Sequence, residues 1–163
     1  MHFEIRRALP EDAPACVHLR GMTRENAVSP GRLRDYGITA ASWAEDIRSN
    51  ALPGYVCHSG KMLVGYAFGA RLSGEVVVLA LLPDAEAKGL GRRLLDLVIQ
   101  ELRAAGHVRL FLGCSADPSS RSHGFYRHLG WRSTGAIDHA GDEVLELLRP
   151  ADAAQQPGEA RPP

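Results

Sequence analysis

The chain has 163 residues, 45% of them hydrophobic and 23% charged, the make-up of a single ordinary globular domain. Its 19 basic and 19 acidic residues cancel to a formal net charge of +0, which argues against a general binder of nucleic acid or another polyanion. A domain of this size buries about two-thirds of its unfolded surface and needs no metal or disulfide staple. Cys16, Cys57 and Cys114 are odd in number and far apart, with no C-x-x-C pair and no zinc spacing, so reduced thiols in a cytoplasmic protein are expected. The start lacks the apolar core of a signal peptide, and the longest apolar run, Val76 to Pro83, is far too short to cross a membrane.

Phe3 and Ile5 alternate with charged neighbours and predict a first strand. Pro10-Glu-Asp opens a helix running towards Arg20, with proline and acids in its first turn. Breakers at Ser29-Pro-Gly31 and Gly37 leave room for short helices near Arg32–Tyr36 and over Ala40–Ser49. Strands are expected at Gly54–His58 and Lys61–Leu72, joined by a Ser59-Gly60 turn, and then at Glu75–Leu82 after Ser73-Gly74. The last of these is apolar on both faces, as for a strand buried within a sheet.

Next comes the polar stretch Asp84-Ala-Glu-Ala-Lys-Gly-Leu-Gly91 and a strong helix. Leu90, Leu94, Val98 and Leu102 repeat every four residues, with charged residues on the opposite face and Gly106 as the stop. Arg109–Cys114 reads as a strand, Asp117-Pro118 as the opening of a helix to about Leu129, and Trp131–Ile137 with Glu143–Leu148 as two final strands. The expected domain is 1–149, with 150–163 a disordered tail rich in Pro, Ala and Gln. The order is α/β with a mixed sheet, not a regular βα alternation.

The chemistry concentrates where a strand, a glycine loop and a helix follow one another. Gly89 and Gly91 let the loop turn its N–H groups towards one point, and the helix adds its own unpaired N–H groups and positive dipole end. Such a site suits phosphate or diphosphate. The Walker pattern G-x-x-x-x-G-K-[ST] is absent, and Leu94 stands where a dinucleotide fingerprint needs a small residue.

Glu86-Ala-Lys-Gly89-Leu-Gly91, following a strand that ends Leu-Leu-Pro, resembles the [QR]-x-x-G-x-[GA] pyrophosphate loop of the GNAT superfamily of acetyl-CoA-dependent N-acetyltransferases. One strand further on, Ser119-Ser-Arg-Ser-His-Gly-Phe125-Tyr126-Arg-His-Leu-Gly130-Trp131 is similar to that family's N-x-x-A-x-x-F-Y-x-x-x-G-F helix. The resemblance covers residues 3 to 148. It implies the GNAT acyl-CoA N-acyltransferase fold: a mixed, mostly antiparallel seven-stranded sheet flanked by about four helices. The sheet would splay between the strands Glu75–Leu82 and Arg109–Cys114 to admit pantetheine.

For the cofactor, acetyl-CoA, the resemblance implies backbone pairing of the pantetheine arm by Leu79 and Leu81, with Leu82 adjoining. It implies diphosphate binding by the amides of Ala87, Lys88, Gly89, Leu90, Gly91 and Arg92. Arg92 or Arg93 would reach a nucleotide phosphate, although arginines on such a helix are more often a solvated face. Tyr126 matches the family's general acid. A phenol of pKa about 10 stays protonated at neutral pH and can still donate to a leaving thiolate; the alternative is a core aromatic beside Phe125. Glu75 lies eleven residues before Glu86, as does the glutamate base of the superfamily's histone acetyltransferases. Burial would raise its pKa usefully, whereas a polar residue after a turn, with ordered water as base, is the plainer account.

Glu86 stands where the family has Gln or Arg. Pointing inward it would repel the diphosphate; pointing outward it would leave the amides to bind. Ser119 and Ser122 replace Asn and Ala of the second motif, and Ser119 keeps a hydrogen bond with shorter reach. Arg20, Arg24, Arg32 and Arg34 cluster with Glu25, Asn26 and Tyr36, a set that suits a carboxylate-bearing amine or else forms a solvated helical face. His123 and His128, five apart, diverge on a helix and suggest no metal. Cys114 on an apolar strand reads as a small buried side chain before it reads as a nucleophile.

The expected activity is acetyl transfer from acetyl-CoA to a primary amine by direct attack, in a monomer or homodimer. The rival readings are an acyl-CoA-binding or interaction module without turnover and a nucleotide-binding module on the same loop.

Overall fold

The structure, a computed structural model, describes residues 2–149; the expected tail lies outside the described residues. Its chain forms two compact units, one ending at Ala105 and one beginning at Gly106. Four of the described strands belong to the first unit and three to the second, and within each unit they pair antiparallel.

In the first unit β1 (Phe3–Arg7), β2 (Gly54–Ser59), β3 (Met62–Ala70) and β4 (Glu75–Leu81) pair antiparallel in that order. Helices α1 (Ala13–Arg20), α2 (Pro30–Asp35) and α3 (Ala40–Arg48) separate β1 from β2, and α4 (Leu90–Ala104) follows β4. Pro10–Asp12 is a single 3-10 turn ahead of α1, not the first turn of that helix. The cause is Asp12, whose carboxylate accepts the Leu9 N–H at 2.7 Å and both terminal nitrogens of Arg6 at 2.7 and 2.8 Å.

The β2–β3 turn is Gly60-Lys61, one residue beyond the expected pair, because Ser59 pairs with Met62. Gly60 supplies the positive φ of +59° that the first position of such a turn demands.

The alternation of β3 shapes the unit. Tyr66 and Phe68 are fully buried and pack with Trp43 of α3, ring centroids 5.4 to 5.9 Å apart. Gly65, Ala67 and Gly69 alternate with them. A Cβ on Gly69 would lie 2.9 Å from Val98 and 3.0 Å from Leu102, so the bare backbone of Gly69 lets α4 approach closely. On α4 the expected stripe of Leu90, Leu94, Val98 and Leu102 is buried throughout.

β4 departs from the expectation of two buried faces. Val76 and Ala80 are buried, but Val77 is 38% exposed and Leu79 and Leu81 are half-buried. The reason is coverage, since α4 packs more on β2 and β3 than on β4.

In the second unit β7 (Glu143–Leu148) lies between β5 (Arg109–Cys114) and β6 (Arg132–Ile137), antiparallel to both. All six residues of β6 are exposed, and its register breaks between Ser133 and Ile137. Helix α5 spans Arg121–His128 and starts later than Asp117-Pro118. Ser120 takes the N-cap, accepting the His123 N–H, while Asp117 folds a local turn by accepting the Ser119 N–H. The described helices number five, where about four were expected.

Candidate functional site

The glycine loop between β4 and α4 is built from a few backbone decisions. Pro83–Ala85 forms a 3-10 turn in which Ala85 donates to Leu82 at 2.9 Å, and the Glu86 N–H closes on Pro83 at 3.2 Å. Glu86 is then extended, Ala87 has φ +60° and Gly89 φ +77°. Hydrogen bonding resumes only when the Arg93 N–H reaches the Gly89 carbonyl at 3.2 Å. Among the described residues, the six N–H groups from Ala87 to Arg92 have no acceptor.

Two left-handed residues in a short stretch turn successive amides to one side, and the α4 dipole adds to their positive potential. They are the amides that the resemblance assigns to the diphosphate. The arrangement fits a diphosphate such as that of coenzyme A. Lys88, Arg92 and Arg93 are exposed around them, and Arg92 lies 4.0 Å from Asp96 one turn on.

Glu86 points neither freely to solvent nor unpaired into the loop. Its Oε2 accepts Arg24 Nε at 2.9 Å, and its side chain is only 14% exposed. Arg24 belongs to a built loop after α1. Arg20 donates to the Asn26 carbonyl at 2.5 Å and receives the Val28 N–H at 2.9 Å, and the Thr23 hydroxyl donates to Glu25 at 2.9 Å. Asn26 completes the bend at φ +55°. Of the residues expected at the acceptor side, Glu25 is half-buried, whereas Arg32 and Tyr36 lie exposed on and just after α2 beside buried Leu33.

Glu75 opens β4 opposite Ala70, half-buried, with its N–H donating to the Ser73 hydroxyl at 3.2 Å. Leu79 and Leu81 pair in register with Ala67 and Gly65, and Leu82 donates to Val64 at 2.8 Å.

In the second unit Tyr126 is 9% exposed and stands edge-on to both Phe125 and Trp131, at 5.1 and 6.0 Å between centroids. Ser119 turns its hydroxyl to Asp117 at 2.8 Å; the Ser119 N–H and then this bond hold the Asp117 carboxyl below its ordinary range. Ser122 Oγ lies 3.4 Å from the Ser120 hydroxyl, and the Cys114 thiol donates to the Ser115 carbonyl at 3.6 Å. Burial raises the Cys114 thiol above its ordinary value, against the pull of Ser122 and Arg127. Arg127 also binds Glu143, which accepts from Ser133 as well, and both partners hold that carboxyl low. Among the described residues no group of three metal-ligating side chains occurs, and no helix is long and apolar enough to cross a membrane.

Sequence reasoning missed the Arg24–Glu86 pair and the Asp117–Ser119 turn. The first spans 62 residues and has no local signal; the second was legible in Asp-Pro-Ser-Ser, a turn former competing with a helix start.

The model of the acetyltransferase (GNAT) family matches residues 19–131. The chain belongs to that family. It is therefore an acyltransferase by kinship. No curated protein sequence matches it. Among solved structures it is similar to the PaiA N-acetyltransferase of Thermoplasma acidophilum in complex with coenzyme A, at 18% identity and TM-score 0.74, covering 91% of this chain and 100% of that one. It is similar to yncA of Salmonella typhimurium with its cofactor acetyl-CoA, at 20% identity and TM-score 0.66 over 90% and 93% of the two chains. The ribosomal-protein-S18-alanine N-acetyltransferase of Escherichia coli gives 19% identity and TM-score 0.65 over 90% and 94%. These likenesses establish the GNAT fold.

Proposed function

We propose that this GNAT protein moves an acetyl group from acetyl-CoA to a primary amine of a small molecule or peptide by direct attack, in the cytoplasm. The observation that carries the proposal is the run of six open amides from Ala87 to Arg92 at the head of α4. Two of the similar structures contain coenzyme A or acetyl-CoA.

Bound there, acetyl-CoA supplies an activated thioester. Ala87 to Arg92 hold its diphosphate through backbone N–H groups. The half-open row of Val77, Leu79 and Leu81 offers apolar surface and backbone groups to the pantetheine arm. The Leu81 N–H donates to the carbonyl oxygen as charge develops on it. Tyr126 donates its phenolic proton to the departing sulfur, and Glu75, directly or through a water, accepts the proton that the ammonium must lose before attack. Ser119 and Ser122 adjoin the cofactor as the second motif's residues do in the family pattern.

The ion pair between Glu86 and Arg24 weighs against the rival reading, a module that binds acyl-CoA without turnover, because it removes the unpaired charge on which that reading leaned. The test is a calorimetric titration of the purified chain with acetyl-CoA, with ATP and NAD as controls, followed by an amine screen with thiol detection. Binding of acetyl-CoA alone, with amine-dependent thiol release, is expected. Preference for ATP or NAD, or binding without thiol release for any amine, would overturn the proposal.

A further inference from the structure

The carboxylate at the first position of the glycine loop creates a problem that the fold answers from outside the loop. Glu86 immediately precedes the open amides, and a charge there opposes any diphosphate held by them. Its side chain is too covered to be relieved by solvent alone, at 14% exposure. A cation that meets it is the guanidinium of Arg24, bound through Nε at 2.9 Å. Among the described residues the side chain of Arg24 makes no other hydrogen bond or ion pair, and the pair with Glu86 orients its guanidinium. The segment that delivers it is fixed by the Arg20, Thr23 and Val28 bonds described above.

We propose that Arg24 sets the affinity of the glycine loop for the cofactor: by neutralising Glu86 it makes residues 86–92 competent to hold a diphosphate, and the 21–28 loop thereby controls cofactor binding. This rests on the reading of that loop as the acyl-CoA site. Arg24, first read as part of the acceptor pocket, thus becomes a positioning residue on the cofactor side. Where the family pattern places Gln or Arg within the loop, this chain divides the task between a carboxylate in the loop and a cation from another segment. Arg24 is accordingly needed only while Glu86 is charged.

The test is calorimetric binding of coenzyme A to the full chain and to Arg24→Ala, Arg24→Lys, Glu86→Gln and the Arg24→Ala/Glu86→Gln double variant. At about 0.05 M salt Arg24→Ala is expected to weaken binding about tenfold, shrinking to about threefold at about 0.5 M as screening sets in. Arg24→Lys, which keeps the charge, stays within about threefold of wild type. In the Glu86→Gln background the loss on removing Arg24 falls to about twofold or less, since the charge it offsets is gone. An equal loss in both backgrounds, no loss in either, or a Glu86→Gln variant that itself binds more than about tenfold worse overturns the proposal. A wild-type chain that gives no heat up to about millimolar coenzyme A fails the reading of the loop itself, and the proposal with it.

Discussion

Gly89→Ala isolates what the backbone of the glycine loop contributes. Gly89 sits at φ +77° and ψ 3°, and a Cβ built on it meets no atom within 4 Å. The substitution therefore introduces no clash within the chain, and its effect on stability is conformational. A left-handed non-glycine residue costs about 1–2 kcal/mol, and the stiffer unfolded chain returns about 0.4–1 kcal/mol. The net loss is about 0.5–1 kcal/mol, or a melting point lower by about 1–4 °C for a chain of this size.

Ala87→Gly reverses the argument. Ala87 already holds φ +60°, so relieving it stabilises the chain by about the same amount. Binding separates the two variants further. The new methyl at position 89 projects into the open space before the amides, where a diphosphate must approach the backbone, so coenzyme A affinity falls about tenfold or more. Ala87→Gly leaves the affinity near wild type. Thermal melts followed by circular dichroism, with calorimetry on the same samples, give both quantities. A Gly89→Ala protein that binds coenzyme A like wild type refutes the amide-cluster reasoning, and an Ala87→Gly protein that melts below wild type refutes the strain reasoning.

Gly54→Ala should be far more damaging, because its Cβ would fall 2.0 Å from the Phe68 ring and 2.4 Å from the Ala67 carbonyl oxygen. With Phe68 locked by Trp43 and Tyr66, a loss of about 3 kcal/mol is expected in urea unfolding. Tyr126→Phe should lower kcat by about a hundredfold or more while leaving acetyl-CoA affinity unchanged; equal turnover removes Tyr126 from the chemistry. Burial acts to raise the Asp12 carboxyl, but the Arg6 bonds and the Leu9 N–H outweigh it and leave the carboxyl below its ordinary value. Its stabilisation is therefore present above about pH 4 and is lost as pH falls through the lowered native value. Asp12→Asn should accordingly cost about 1–2 kcal/mol at pH 7, the exposure of Arg6 limiting the figure, and melting curves of the two proteins should converge in acid. All three thiols are buried and raised by burial, so a thiol reagent at pH 7 should react slowly with the native chain and count three in denaturant.

The most legible parts of the sequence were those in which neighbours along the chain decide the outcome. The Leu90–Leu102 stripe, the break at Gly106 and the glycines of the loop carry their meaning within one or two turns, and α4 and its amide cluster stand where they predicted. The start of α5 was misread because Asp117 and Ser120 compete for the same local hydrogen bonds, and side-chain geometry chooses between them. β4 was misread because its composition reports apolar surface without saying whether chain covers it. Glu86 posed a question that no local pattern answers, since its partner arrives from 62 residues away.

The missing side chain at Gly69 of β3 has a consequence for how the amide cluster is aimed. α4 is a rod of 15 residues, about 22 Å long, resting near its far end on the bare backbone of Gly69. A side chain introduced there would act as a wedge under one end of a lever and swing the other end, where the amides of Leu90 to Arg92 lie. Under the proposed function, the tuning of cofactor affinity is therefore partly remote, set by what is missing from β3 beneath the far end of α4. An engineer seeking to fit a different acyl carrier has in Gly69 an adjustment screw at the far end of the helix from the loop.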